Sequence, residues 1–259
     1  MNTMRGITAA KPSSQALYAV QPVQLARLRD APAQPWRNGG GVTRELLAWA
    51  TPRLADTPAG PQTPSADWAV RVSVADITQD GPFSAFPGID RCFAVLEGNG
   101  VVLTLRGEDL LLTPASEPLA FDGAQAPGCR LIHGPTRDLN LMARHSAGRA
   151  WMQRAVAGQS WPPPVPLQLA SDAQRLHPPV LGSQMKGEGW AWQGLYTHGP
   201  ACVDTPGGRL ELQPGTLLWS DAGSGHPPEA GLMAPWRLVE GRQAWWLGLQ
   251  ATDPKAEPT

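Results

Sequence analysis

The sequence predicts an all-β chain made of two β-rich halves. Three observations point there: apolar and polar residues alternate at period two, 28 Gly and 28 Pro punctuate the chain, and no long amphipathic helical pattern occurs. The length of 259 residues fits one large β domain or two of roughly 100–150 residues each. A hydrophobic content of 42% is enough to build a core.

The strands follow in order. Residues 68–74 put Trp68, Val70, Val72 and Val74 on one face and Arg71 and Ser73 on the other. If the apolar face packs between sheets, Arg71 and Ser73 are solvated; if it lies outside a barrel, they point into the lumen. Two apolar runs, 92–96 and 101–105, flank Glu97, Gly98, Asn99 and Gly100, and the Asn-Gly step predicts a hairpin between them. Residues 110–112, 130–132 and 138–144 read as further strands. On the last, Asp138, Asn140, Met142 and Arg144 share a face opposite Leu139 and Leu141, with the same ambiguity of direction. A second set covers 190–195, 201–203, 209–212, 216–220 and 243–249, with Gln213, Pro214 and Gly215 as turn chemistry before the fourth. Short helices are expected only near 22–28 and 166–174.

Many short antiparallel strands suit double-sheet jelly rolls or small barrels. The expected division is a flexible tail at 1–16, a first barrel at 17–150, a second at 151–252 and a tail at 253–259. A loop insertion is expected at 51–66 and a Pro-rich junction around 161–166.

Composition narrows the function classes. Lys and Arg number 21 against 22 Asp and Glu, a formal charge of -1, so no global field favours nucleic acid or an anionic membrane. Cys92, Cys129 and Cys202 are odd in number and widely spaced, which argues for reduced thiols. No apolar run approaches the roughly 18–20 residues needed to span a bilayer, and residues 1–16 lack the apolar core of a secretory signal. A cytoplasmic protein is the expectation. The 11 Trp against 2 Tyr are unusual.

The most informative segment is 36–45, Trp-Arg-Asn-Gly-Gly-Gly-Val-Thr-Arg-Glu. Three consecutive glycines beside an indole, an amide, a hydroxyl, two guanidiniums and a carboxylate suit either a binding edge or a plain glycine bulge. Val42 and Thr43 follow where a P-loop needs Lys and Ser or Thr, and Arg44 stands where a dinucleotide fingerprint needs its third glycine. Both departures argue against nucleotide binding through this loop. A second cluster runs from Asp80 to Arg91 and ends in Asp90-Arg91 at the mouth of an apolar strand. This pair reads either as a surface turn bridge or as Arg91 set to grip a carboxylate.

Catalytic constellations are thin. No nucleophile elbow occurs, and Ser224 beside His226 is too local to make one. None of the cysteines has a neighbouring histidine base. His133 and His145 read as structural. Glu45 is the best acid/base candidate, although an ion pair with adjacent Arg44 explains it equally well.

The blocks at 36–45, 68–76, 80–84, 86–91 and 138–142 together resemble the HutD/Ves family, in the family's order. The resemblance covers about residues 36–144 and implies a bicupin, two cupin-type jelly-roll β-barrels in one chain. It also implies a link to bacterial histidine utilisation and a pocket for a small acidic intermediate. Carried over by motif, the pocket candidates are Trp36, Asn38, Thr43, Glu45, Arg71, Arg91 and Asn140, and Gly39, Gly40, Gly41 and Ser73 complete the expected ligand-binding set. Cupins that bind metal use two closely spaced histidines, a glutamate and a later histidine. The five histidines here (His133, His145, His177, His198 and His226) form no such pair, and Leu218 stands at the last position. A metal-free, cofactor-free pocket is expected.

The leading expectation is therefore a metal-independent bicupin binding a urocanate- or formyl/formimino-glutamate-type carboxylate in a regulatory or accessory role. The competing class is a metal-free isomerase- or hydrolase-type enzyme using Glu45 as acid/base. The blandest reading is a scaffold in which these clusters only hold the barrel together. The expected partners are the small metabolite and a second copy of the chain in a homodimer, with no nucleic acid and no membrane.

Overall fold

The computed structural model describes residues 22–50, 68–161, 190–222 and 233–250. The expected tails, the insertion at 51–66, the helix at 166–174, the Ser224–His226 neighbourhood and His177 lie outside the described residues. In the first half the strands are β1 (Gln24–Arg27), β2 (Ala33–Pro35), β3 (Gly41–Trp49), β4 (Val70–Ile77), β5 (Gly81–Pro82), β6 (Ile89–Glu97), β7 (Val101–Leu105), β8 (Glu108–Leu112), β9 (Leu119–Asp122), β10 (Gly128–Leu131) and β11 (Thr136–Arg144). They continue as β12 (Arg149–Arg154), β13 (Ser160–Trp161), β14 (Trp190–Thr197), β15 (Ala201–Thr205), β16 (Gly208–Leu212), β17 (Thr216–Asp221), β18 (Trp236–Glu240) and β19 (Ala244–Gln250). Only two short 3-10 turns interrupt them among the described residues.

These strands form two double-sheet barrels, the bicupin architecture. The first pairs a six-stranded sheet, β2-β3-β4-β11-β6-β9, with a four-stranded sheet, β5-β10-β7-β8. The second pairs β1-β17-β14-β19-β12 with β13-β18-β15-β16. One pairing scheme is repeated: β4-β11-β6-β9 matches β12-β19-β14-β17, and β5-β10-β7-β8 matches β13-β18-β15-β16. β1 belongs by its pairing to the second barrel, where Leu25 registers with Leu218. The helix expected over 22–28 is thus a strand followed by a 3-10 turn at Leu28–Asp30. Tertiary pairing with β17 overrides a weak local helical pattern.

The turn at 97–100 also differs from expectation. β6 and β7 do not pair; the turn carries the chain from the large sheet to the small one. Gly98 and Gly100 both have positive φ, +89° and +103°, and a Cβ at either would run into the carbonyl of Pro135 or of Leu112. Such glycines serve a corner between sheets as well as they serve a hairpin.

The barrels pack back to back through their larger sheets. Val70, Val72, Val74, Leu139, Leu141 and Cys92 share one buried cluster with Trp192, Tyr196, Leu217, Trp219, Trp245 and Leu247. Each such side chain contributes about 1.5–3 kcal/mol on burial, so this shared core joins the halves firmly. Trp49 Nε1 donates to Asp221 Oδ2 across the junction at 3.0 Å, and His198 Nε2 lies 2.7 Å from Glu97 Oε1.

This packing settles the direction of β4 and β11. Their aliphatic faces lie outside the first barrel, against the second. Arg71, Ser73 and Ala75 on β4 and Asp138, Asn140 and Met142 on β11 consequently face the lumen of the first barrel.

Among the described residues, apolar side chains pack the interior of the second barrel. Trp151, Trp161, Leu195, Leu218, Trp236, Leu238 and Trp246 form one cluster inside it. The Trp161 ring lies 4.5 Å from that of Trp151, 5.0 Å from Trp190 and 5.7 Å from Trp246. A Cβ at Gly248 would run into the Trp190 and Trp161 rings, so glycine there makes room for the indoles. Much of the unusual tryptophan content is therefore core material of this half.

Candidate functional site

The first barrel keeps an open lumen, a cavity of about 460 Å³. Its floor is a set of cross-strand rungs. Met142 registers with Arg71 on β4 and Arg91 on β6; Asn140 registers with Ser73 and Phe93; Asp138 registers with Ala75 and Val95. Period-two alternation on three paired strands therefore brings these polar groups together.

Arg91 is the centre of the site. Its residue is only 6% exposed, and its Nη2 donates to Asn140 Oδ1 at 2.8 Å. Asn140 Nδ2 in turn donates to Asp138 Oδ1. Three phenyl rings surround the guanidinium: Phe83 at 5.1 Å, Phe121 at 5.1 Å and Phe86 at 5.7 Å. Arg91 Nε and Nη1 and Asp138 Oδ2 are buried without a hydrogen-bond partner among the described residues. Burial draws the Arg91 guanidinium down to about 10, against the attraction of Asp138 and helped by the nearby charge of Arg71. Burial pushes the Asp138 carboxyl up to about 8, although Arg91 and the hydrogen bond from Asn140 oppose it. A cation held in an aromatic cage with unmatched N–H groups has donors that an acceptor could satisfy.

Arg71 lies on the opposite side of the Met142 rung. Its Nε donates to Glu45 Oε2 at 2.6 Å, and its Nη1 lies 3.7 Å from Met142 Sδ. Glu45 therefore pairs with Arg71 and not with adjacent Arg44, which reaches Asp76 Oδ2 at 3.0 Å instead. Burial pulls the Asp76 carboxyl upward, but hydrogen bonds and charge from Arg137 and Arg44 together hold it below the ordinary range. The adjacent Asp90-Arg91 pair splits: Asp90 turns out to His145 Nε2 at 3.0 Å while Arg91 turns in, so the surface turn bridge does not form.

The glycine-rich segment forms the rim. It is the turn joining β2 to β3, closed by Trp36 N–H to Gly41 O at 2.9 Å and Gly39 N–H to Trp36 O at 3.0 Å. The Gly40 amide donates to Asn38 Oδ1 at 3.0 Å. The Gly39 and Gly40 amides are thus engaged within the turn, and none of Gly39, Gly40 and Gly41 lines the cavity. Gly41 earns its place by space: a Cβ there would meet Asp76 O at 2.6 Å and the Trp36 ring at 3.0 Å. Trp36 Nε1 donates to Thr43 Oγ1 at 2.8 Å, which orients the indole at the mouth, edge-on to Phe83.

Of the residues expected from the sequence, Trp36, Asn38, Thr43, Arg71, Ser73, Arg91 and Asn140 line the lumen. Glu45 and the three glycines do not. Sequence reasoning missed Asp138, Phe83, Phe86 and Met142 as lining groups, and Phe121 as part of the cage. The shared face of Asp138, Asn140 and Met142 was the available signal, but it needed the direction of β11 to be read. Among the described residues, no group of three or more His, Cys, Asp or Glu is placed to hold a metal ion.

A family model described as HutD matches residues 28–166, just over half of the chain. The chain belongs to the HutD family. It is 34% identical over 131 residues to an uncharacterised 21.2 kDa protein in the hutC 3′ region of Pseudomonas putida, covering 51% of this chain and 63% of that one. It is 32% identical over 124 residues to the protein Ves of Citrobacter koseri, covering 48% and 59%. The chain thus spans less than two thirds of the length of these curated relatives. Among solved structures, HutD from Pseudomonas fluorescens SBW25 aligns with a TM-score of 0.63 at 24% identity, over 90% of this chain and all of that one. The protein Ylba of E. coli aligns with a TM-score of 0.51 at 11% identity, over 95% and 97%. These two likenesses speak for the fold, and they extend it through the second barrel, beyond the segment the HutD family model matches.

Proposed function

We propose that the first barrel binds a small carboxylate metabolite of the urocanate or formyl/formimino-glutamate type, in a regulatory or accessory role in histidine utilisation. One observation carries the reading: a buried arginine, caged by three phenyl rings, faces an open lumen with two N–H donor atoms unmatched. Anion binding supplies the missing acceptor, and the low-dielectric wall strengthens that contact. Arg71, its charge matched by Glu45, lines the same lumen, and Trp36 and Phe83 offer apolar walls for a planar or short aliphatic body. Membership of the HutD family and likeness to a protein in the hutC 3′ region support the metabolic placement. No helix among the described residues is long and apolar enough to cross a membrane, which is compatible with a cytoplasmic role.

The competing enzyme reading needs Glu45 free to exchange protons with a bound substrate. Its carboxylate is instead tied to Arg71 at 2.6 Å and does not line the lumen, which favours binding over turnover. The test is calorimetric titration with urocanate, formiminoglutamate, N-formylglutamate and glutamate, with the mixtures assayed for product. Saturable binding without product, lost in Arg91→Ala, is expected. Product formation supports the enzyme, and absence of binding by all four removes the pocket assignment.

A further inference from the structure

Asp138 is the least explained group in the site. It is 1% exposed, it lines the lumen, and its Oδ1 accepts from Asn140 while Oδ2 has no partner. Asn140 stands between it and Arg91: the guanidinium donates to Asn140 Oδ1, and Asn140 passes a hydrogen bond on to Asp138. Among the described residues, no guanidinium is hydrogen-bonded to either carboxylate oxygen of Asp138 directly. A buried carboxylate without a contacting cation is costly, and taking up a proton removes that cost. Once protonated, Oδ2 becomes a hydrogen-bond donor that needs an acceptor, and a bound anion provides one.

We propose that Asp138 is the proton-carrying donor of the site: it enters the complex as a neutral acid, its Oδ2–H directed at the bound carboxylate, so that in alkaline solution each anion binds together with one proton. The proton comes from solvent and stays on Asp138, and no covalent bond in the ligand changes. The inference rests on the carboxylate reading given above and assigns Asp138 a role within it. It also gives the site a selectivity device. An ionised Asp138 would repel an anion, whereas the neutral acid pairs with it, as one carboxylic acid pairs with a carboxylate.

The surroundings agree. Arg91 on β6 is the cation that faces Asp138 through Asn140, and Arg71 on β4 is paired with Glu45 of β3. Asp76 on β4 adds negative charge that favours the neutral acid. Cys129 on β10 is pushed up to about 12 by burial and by the charges of Asp138 and Asp80, so its thiol does not compete for protons below that range. With Asp138 raised to about 8, the empty site is already protonated in mildly acidic solution and ionised in alkaline solution. Proton uptake on binding is therefore near zero at about pH 6.5 and near one at about pH 9.

The test is titration of the full chain with N-formyl-L-glutamate and with urocanate at both pH values, each in buffers of different ionisation enthalpy. The dependence of the heat on the buffer counts the protons taken up. The expected result is about one proton per site at the higher pH, with affinity falling about tenfold per pH unit above 8. Asp138→Asn keeps a donor without a titrating proton, so it binds with no pH dependence in this range and no uptake. Saturable binding at the higher pH without proton uptake overturns the inference and leaves the carboxylate reading standing. Uptake that persists in Asp138→Asn also overturns it. Failure of both anions to bind the unaltered protein at either pH overturns the carboxylate reading itself. The wild-type arm decides the question even where the variant does not fold.

Discussion

Replacing Arg91 with methionine separates a residue kept for binding from one kept for folding. Arginine contributes a hydrogen bond to Asn140 and contacts with three phenyl rings, and both are lost on substitution. The charged hydrogen bond is worth about 1.5–3 kcal/mol, and each cation–π contact adds about 0.5–2 kcal/mol where desolvated. Against this, Nε and Nη1 are buried and unmatched, at a cost of about 1–3 kcal/mol each. The desolvated cation itself adds to that cost, while methionine retains favourable sulfur contacts with the same rings of about 0.3–1.5 kcal/mol. The opposing contributions nearly cancel. The substitution also leaves Asn140 Oδ1 without its donor, at about 1–3 kcal/mol, so Arg91→Met is expected to lower the unfolding free energy by no more than about 2 kcal/mol, a shift of about 4–8 °C in Tm for a chain of this size. Urea unfolding followed by tryptophan fluorescence measures the first, and calorimetric titration shows the loss of carboxylate binding. Destabilisation above about 3 kcal/mol would mean that Arg91 holds the barrel together, and would refute its assignment as a binding group.

Other outcomes follow from the same contacts. Trp161→Ala empties the centre of the second barrel and should cost about 3–5 kcal/mol in urea unfolding, while a variant that still folds keeps its carboxylate affinity within about threefold. Gly41→Ala forces a Cβ against Asp76 O and the Trp36 ring, and should cost about 1–3 kcal/mol and weaken binding by displacing the indole from Thr43. The raised Asp138 carboxyl means that the folded state holds a proton the unfolded chain has released, so its contribution to stability is lost as pH rises from about 4 to about 8. Asp138→Asn should therefore lose less stability than the wild type over that window, read from urea midpoints. The depressed Asp76 works in the opposite sense: its contribution is present above the unfolded value of 3.8 and is lost as pH falls below it. Asp76→Asn should accordingly unfold less steeply with acid.

The all-β class and the shared faces of β4 and β11 were legible because alternation is a local property, and the rim candidates because the polar groups of 36–45 cluster beside three glycines. Arg71 and Ser73 sit opposite a row of valines, and that pattern survives in the fold. The direction of the row was not legible, because both faces of β4 and β11 are buried: one in the lumen, the other against the second barrel. Leu139 and Leu141 look like barrel-core residues in sequence, and they are in fact the contact between barrels. Asp138 was passed over for a related reason. Its burial arises from β11 lying between β4 and β6, a pairing of segments about 40 to 60 residues apart along the chain. The glycine run marks the rim of the lumen, but two of its amides close a turn and none of its three residues lines the cavity. The tryptophans gave composition without location; only the repeated pairing scheme shows that many of them occupy, in the second barrel, the space that stays open in the first.

The most direct test of the central claim is a crystal structure of the protein grown with N-formyl-L-glutamate. A carboxylate within hydrogen-bond distance of Arg91 in the first barrel, with Asp138 Oδ2 turned to one of its oxygens, is the result expected here. Ligand bound only outside the first barrel's lumen, with Arg91 still unmatched among its phenyl rings, would contradict it.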